Sequence, residues 1–156
     1  TGITKFSQLS IFSELNNITN VSMDEPYAGI CGITKEELVT QMSDDIDDLA
    51  ESLEMTREKT IEELKSHYDG YHFTWPSPDI FNPYSLLNCF AKQDLRAFWF
   101  ESGTPVYLIN MMRKFKVLPS MLGRMRAKAS SFDAATEKMT SLLPLLYQSG
   151  YSTIKK

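Results

Sequence analysis

The sequence predicts an α+β chain that is predominantly helical, with a few short strands. Apolar residues recur at helical spacing through the first half, and Thr, Asn and Pro stand where helix starts need them. Short aromatic and β-branched stretches flank turn-rich loops. The composition can supply a core. Of 156 residues, 42% are hydrophobic and 23% charged, which excludes a disordered, collagen-like or disulfide-dense chain. Apolar runs such as 142–147 fall far short of the roughly 20 residues a membrane span needs. No basic-then-apolar leader opens the chain, so a cytoplasmic location without a membrane partner is expected.

The opening Thr1-Gly2-Ile3-Thr4-Lys5-Phe6-Ser7 alternates like a short strand, and residue 1 is not Met. The closing Gly150-Tyr151-Ser152-Thr153-Ile154-Lys155-Lys156 also reads as a strand. Strands must pair to satisfy their backbone groups, so the chain reads as a piece of something longer, cut at both ends. Between them, Thr34-Lys35-Glu36-Glu37 spells a capping box. Behind it Leu38, Met42, Ile46, Leu49 and Leu53 form one stripe of a 3.6-residue period, expected to bury against Ile61, Leu64 and the helix of Leu86 and Phe90. Ser43, followed by Asp44 and Asp45, could cap a second helix, which leaves one helix or two. Thr56 caps the next, with Ile61, Leu64 and Tyr68 inward and a stop at Asp69-Gly70.

The middle is aromatic. Tyr71-His72-Phe73 and Ile80-Phe81 suggest two short strands around Trp75-Pro76-Ser77-Pro78-Asp79. Asn82-Pro83 and Thr104-Pro105 each place a cap before a Pro at the first helical position. Leu86, Leu87 and Phe90 are expected inward in the first of these helices, and Leu108, Met111, Met112 and Phe115 in the second. Residues 125–131 fit helix or strand. A last helix precedes Gly150, with Pro144 in its first turn. Cys31 and Cys89 lie in apolar surroundings without metal-ligand spacing and read as two buried, reduced thiols.

Charge is uneven: residues 1–69 carry net −10 and residues 70–156 net +6, giving the formal −4. Between Ser102 and Phe132 stand Arg113, Lys114, Lys116, Arg124, Arg126 and Lys128, with no acid. That stretch is either a polyanion contact or a solvated face that docks on the acidic half or on a missing domain.

The chemistry tests are mostly negative. No glycine is followed by Lys, so the GxxxxGK[ST] phosphate loop is missing, and no apolar strand ends in paired acids. Asp44-Asp45 and Asp47-Asp48 belong to the polar face of a helix. Glu63-Leu64-Lys65 and Pro78-Asp79 spell nuclease elements, but in reversed order and with the ExK inside a helix, so metal-dependent cleavage is not expected. No GxSxG elbow sets up a serine nucleophile. The cluster His67-Tyr68-Asp69-Gly70-Tyr71-His72 reads as a helix end rather than a metal site: His67 complements the dipole, and the tyrosines pack with their hydroxyls paired. Neither a catalytic residue nor a metal ligand is expected in this chain.

Six short motifs occur in order: Thr1-Gly2-Ile3-Thr4-Lys5-Phe6-Ser7, Tyr27-Ala28-Gly29-Ile30-Cys31-Gly32, Tyr68-Asp69-Gly70-Tyr71, Asn82-Pro83-Tyr84-Ser85-Leu86-Leu87-Asn88, Trp99-Phe100-Glu101-Ser102-Gly103-Thr104-Pro105 and Leu145-Leu146-Tyr147-Gln148-Ser149-Gly150-Tyr151. Together they resemble the predicted AAA-ATPase-like family common in gut Bacteroidetes, usually fused to a C-terminal PD-(D/E)XK nuclease-like domain. The resemblance implies the second half of the ATPase-like domain. Residues 1–24 would end a P-loop-type core with its last strand, and residues 25–156 would form a helical lid region. It further implies a phosphate loop upstream, a nuclease-like domain downstream, and ATP and Mg²⁺ as cofactors of the full-length protein only. Thr1 or Lys5 would sit on or after the strand that bears a nucleotide-sensing residue. The alternative is a nucleic-acid- or protein-binding module in which Tyr151–Ile154 opens a winged helix and residues 113–128 touch nucleic acid.

Overall fold

The computed structural model describes residues 19–98, 105–118, 120–121, 126–132 and 141–154. The opening strand, Thr1, Lys5, Arg124, the Thr104 cap and the Leu108 side chain lie outside the described residues or side chains.

A 3₁₀ turn at Glu25–Tyr27 leads into strand β1 (Ile33–Thr34), and helix α1 (Lys35–Gln41) follows without a break. The capping box forms: Thr34 Oγ1 accepts from the Glu37 N–H at 3.2 Å, and Glu37 Oε2 accepts from the Thr34 N–H at 2.8 Å. The Thr34 N–H, and the Thr34 hydroxyl that also donates to Glu37 Oε2 at 2.8 Å, hold the Glu37 carboxyl below its ordinary value. The helix breaks at Met42, and α2 runs Ser43–Ser52. Ser43 is not the cap. It is the first helical residue, and its carbonyl and hydroxyl instead accept from the Arg57 guanidinium at 3.1 and 3.0 Å. Thr56 caps α3 (Arg57–Tyr68) by accepting from the Lys59 N–H at 3.2 Å.

Strand β2 (Ile80–Phe81) pairs antiparallel with β1 in register Ile33–Phe81 and Thr34–Ile80. The expected strand at 71–73 shrinks to a single bridge from Tyr71 to Ile80, since the Pro-rich loop between them offers no further pairing. Gly32 lets the two strands meet. A Cβ there would overlap the side chain of buried Ile80. Helix α4 (Pro83–Lys92) starts on Asn82, whose Oδ1 accepts from the Ser85 N–H at 2.9 Å.

These elements enclose one core of Leu38, Ile46, Leu49, Leu64, Tyr68, Phe81, Leu86, Cys89, Phe90 and Phe98. Met42, Leu53 and Ile61 pack against it as partly buried side chains, so the predicted stripe and its partners meet as expected. Leu87 is a correction. It is 51% exposed, because three residues of α4 already fill the width that α2 and α3 can cover. Cys31 is another: it lies exposed in a turn, whereas Cys89 is buried, and both are free thiols.

Helix α5 (Pro105–Phe115), the short α6 (Ala129–Phe132) and α7 (Leu142–Gln148) build a second cluster. Leu142, Leu145 and Leu146 form its buried part, with Met111, Met112, Phe115, Val117 and Tyr151 against them. Pro144 falls within the first turn of α7, where its missing N–H costs no intrahelical bond. Residues 126–128 have no regular structure before α6 begins. The expected closing strand does not form over Tyr151–Ile154, which are bends and loop. The N–H groups of Tyr151 and Ser152 turn back onto the Leu146 carbonyl at 2.8 and 3.2 Å, which wraps the segment around the end of α7. Tyr151–Ile154 therefore do not supply the strand with which a winged helix was expected to open. The chain is therefore α+β and mainly helical, with one two-stranded sheet among the described residues.

Candidate functional site

The two clusters meet along an aromatic seam at the end of α3. Asp69 ends the helix with extended backbone, and Gly70 follows at φ +99°, a conformation that favours glycine. That turn throws Tyr71 away from the first core and toward α7. The Tyr71 hydroxyl donates to the Tyr147 carbonyl at 2.8 Å, and the two rings stack at 5.9 Å. In return the Tyr147 hydroxyl donates to the Phe73 carbonyl at 2.7 Å. Burial pushes the Tyr147 hydroxyl up to about 12 and raises that of Tyr71 as well. Tyr68 does comparable work on the first core: its hydroxyl donates to the Arg96 carbonyl at 2.9 Å and accepts the Arg96 N–H at 3.1 Å. The tyrosines of the cluster thus pack with their hydroxyls paired, as the sequence suggested.

The two histidines behave differently. His67 is exposed in the last turn of α3, its Nδ1 2.8 Å from the Glu63 carbonyl. His72 is 5% exposed and sits inside the Pro-rich loop, Nδ1 at 3.0 Å from Ser77 Oγ and Nε2 at 2.9 Å from Asp79 Oδ1. Nothing in the sequence signals this Ser77–His72–Asp79 arrangement, because a fold-specific loop brings the three together. It has the membership of a hydrolytic triad but not the surroundings. Ser77 Oγ lies 2.9 Å from the Thr74 carbonyl, and the following residue, Pro78, has no N–H with which to hold an oxyanion. The three side chains clasp the loop, and the His72 N–H ties it to Thr153 Oγ1 at 2.6 Å.

Between α3, α4 and the segment after α7 lies an open cleft of about 300 Å³. Asp69, Tyr71, Asn82, Tyr151 and Ser152 are among its walls. Among the described residues neither Lys nor Arg lines it, His67 does, and the C-terminal, electronegative end of α3 reaches its rim. Burial raises the Asp69 carboxyl above the ordinary aspartate value and the Asp79 charge adds to this, against the Gly70 N–H that donates to it at 2.8 Å.

The basic stretch lies elsewhere. Arg113 and Lys114 are exposed on the last turn of α5, Lys116 follows it, and Arg126 and Lys128 precede α6, all exposed. None forms an ion pair with the acidic helices among the described residues; Asp47 pairs with Arg57 and Glu63 with Lys59 instead. Of the alternatives for this stretch, docking on the acidic half is not seen among the described residues. No group of His, Cys, Asp and Glu among the described residues is arranged to hold a metal ion. No helix among them is long and apolar enough to cross a membrane.

Comparison with known proteins places the chain beside a longer protein. It is 30% identical over 153 residues to a protein of Azotobacter chroococcum mcd 1 described as an uncharacterized protein in the vnfD 5' region. The match covers 98% of this chain but 27% of that relative, so the chain spans about a quarter of its length. No family model and no solved structure matches the chain.

Proposed function

We propose that the chain is a non-catalytic part of a larger, cytoplasmic ATPase-like protein, a helical lid that closes over nucleotide held by residues outside it. Support comes first from the alignment, in which nearly the whole chain corresponds to a quarter of a longer polypeptide. The six ordered motifs supply the ATPase-like part of the reading, and with it an N-terminal ATPase half and a C-terminal nuclease-like domain as neighbours in the same polypeptide. In this reading nucleotide and Mg²⁺ would be held upstream, with Thr1 or Lys5 as the sensing contact.

The chain alone is expected neither to bind ATP–Mg²⁺ at micromolar concentration nor to hydrolyse it. One sensing hydrogen bond is worth about 0.5–1.5 kcal/mol, against the roughly 8 kcal/mol that micromolar affinity requires. Calorimetric titration with ATP–Mg²⁺ measures this. Micromolar binding, or turnover abolished by replacing His72, would overturn the non-catalytic reading.

The exposed bases, with no ion pair to an acid among the described residues, favour a second reading, a nucleic-acid contact through Arg113, Lys114, Lys116, Arg126 and Lys128, with Arg124 in the same stretch. Such binding would weaken steeply with salt, as each neutralised phosphate releases counterions. Weak binding at most is expected in a fluorescence titration of duplex DNA at low salt, and none at all would remove this reading.

A further inference from the structure

We propose that the loop from His72 to Asp79 is a proton-operated clasp: it is closed while the His72 ring is an imidazolium, and it loosens, with its tie to Thr153, when the ring loses a proton. This device is independent of the ATPase-like reading.

The proton count in the loop fixes the charge of the closed form. The Thr74 carbonyl can only accept, so the single Ser77 hydroxyl proton is directed to it across 2.9 Å. Ser77 Oγ then has only a lone pair to offer His72 Nδ1 at 3.0 Å, and Nδ1 must carry a proton to bond it. On the other side of the ring an ionised Asp79 also only accepts, so Nε2, 2.9 Å from Oδ1, must carry one as well. These contacts hold together only when both ring nitrogens are protonated. Either neutral tautomer breaks one of them. Without the Nδ1 proton, Ser77 must turn its hydroxyl to the ring, which leaves two acceptor oxygens facing each other at the Thr74 carbonyl. Without the Nε2 proton, a ring lone pair faces the Asp79 carboxylate. The ring is buried, so water has little room to replace the lost partner.

The groups around the ring come from three segments. Its own loop supplies Asp79 and the uncharged edge of Trp75 at 5.1 Å. The end of α3 supplies the Asp69 carboxyl, which interacts electrostatically with His72, with Asp79 and with Lys65 of the same helix. The segment after α7 supplies Thr153, which is uncharged. The clasp lies on the seam between the two cores. The His72 N–H donates to Thr153 Oγ1 at 2.6 Å, and the neighbouring Phe73 carbonyl accepts from the Tyr147 hydroxyl. Slack in the loop therefore passes to α7 and to the segment that follows it.

The test follows the intact, ¹⁵N-labelled chain by NMR as pH is raised from about 5, where histidine rings are ordinarily charged, until the His72 ring turns neutral. Ring ¹⁵N shifts report the charge, and hydrogen exchange of the His72 amide, corrected for its intrinsic pH dependence, reports the clasp. Both ring nitrogens should be protonated at the start, and protection should fall by about three- to tenfold as the ring loses its proton, the effect of one hydrogen bond. Asp79→Asn should keep the clasp closed at every pH, because an amide can donate to a bare Nε2 and a neutral ring with its proton on Nδ1 then keeps every contact. An ion pair that merely steadies the loop predicts the reverse, lost protection throughout. Ser77→Ala should show low protection that no longer follows the charge of the ring. The proposal is overturned by a neutral His72 ring in the protected parent, by protection that ignores the charge of the ring, or by lost protection in a folded Asp79→Asn chain. The first two outcomes are read on the parent and decide the matter even where a substitution disturbs the fold.

Discussion

Leu49→Ala is expected to lower the stability of the chain by about 2–5 kcal/mol. Leu49 is fully buried in the first core, on α2, which packs on α3 and α4. Truncation removes the transfer free energy of its methyl groups and leaves a cavity in a core whose other members, Ile46, Leu64 and Leu86 among them, are themselves fully enclosed. Three helices converge there, so the site cannot collapse by moving one of them. Urea unfolding followed at 222 nm measures the loss. A value under about 1 kcal/mol would mean that this core is not closed as described.

Tyr147→Ala is expected to cost about 3–5 kcal/mol, and Tyr147→Phe about 1–3 kcal/mol. The ring is 6% exposed, stacks on Tyr71 and meets Phe132 edge-on at 5.0 Å, so its loss opens the seam between the two clusters. The Phe variant keeps the packing but leaves the Phe73 carbonyl without its donor. The hydroxyl also predicts a pH dependence. Burial raises it from an ordinary 10.0 to about 12, so the folded state holds this proton more tightly than the unfolded state. Its contribution is complete below about pH 10 and is lost as pH climbs through 12. Denaturation midpoints between these values should fall less steeply in Tyr147→Phe than in the parent. An identical slope would show that this hydroxyl is not buried as described. Some alkaline slope should persist, since Tyr71 and Tyr68 shift in the same direction.

Much of the local structure was legible because its causes are local. Thr34, Thr56 and Asn82 cap the helices they were expected to cap, since a side-chain oxygen and an N–H three residues on meet without help from the rest of the fold. Met42 shows the limit. The stripe Leu38, Met42, Ile46 continues through the helix break, because both helices turn the same apolar face to one core and the break leaves no mark on periodicity. Leu87 and Cys31 were expected inside for their apolar character and neighbours, yet burial depends on how much of a surface the other elements cover.

The candidate site was less legible. His67 to His72 stood out as a cluster, but the sequence offered no reason to connect it with Ser77, Asp79 or Ser152. Those contacts close over the Pro-rich loop and the turn after α7, and the largest separation among them, from His72 to Thr153, spans 81 residues. The closing segment failed as a strand for a related reason. Tyr151-Ser152-Thr153-Ile154 has strand-like composition, but its N–H groups find the Leu146 carbonyl and its Thr153 hydroxyl finds His72. By itself, the sequence determined the helix starts, the stripe that fills the first core and the helical character of the chain, all of them set by neighbours within about one or two turns. Only the tertiary structure decided which strand pairs with which, how Tyr71 and Tyr147 join two cores, and that an acid at a helix end faces a cleft. Those are contacts between distant segments, and their partners are chosen by packing rather than by spacing.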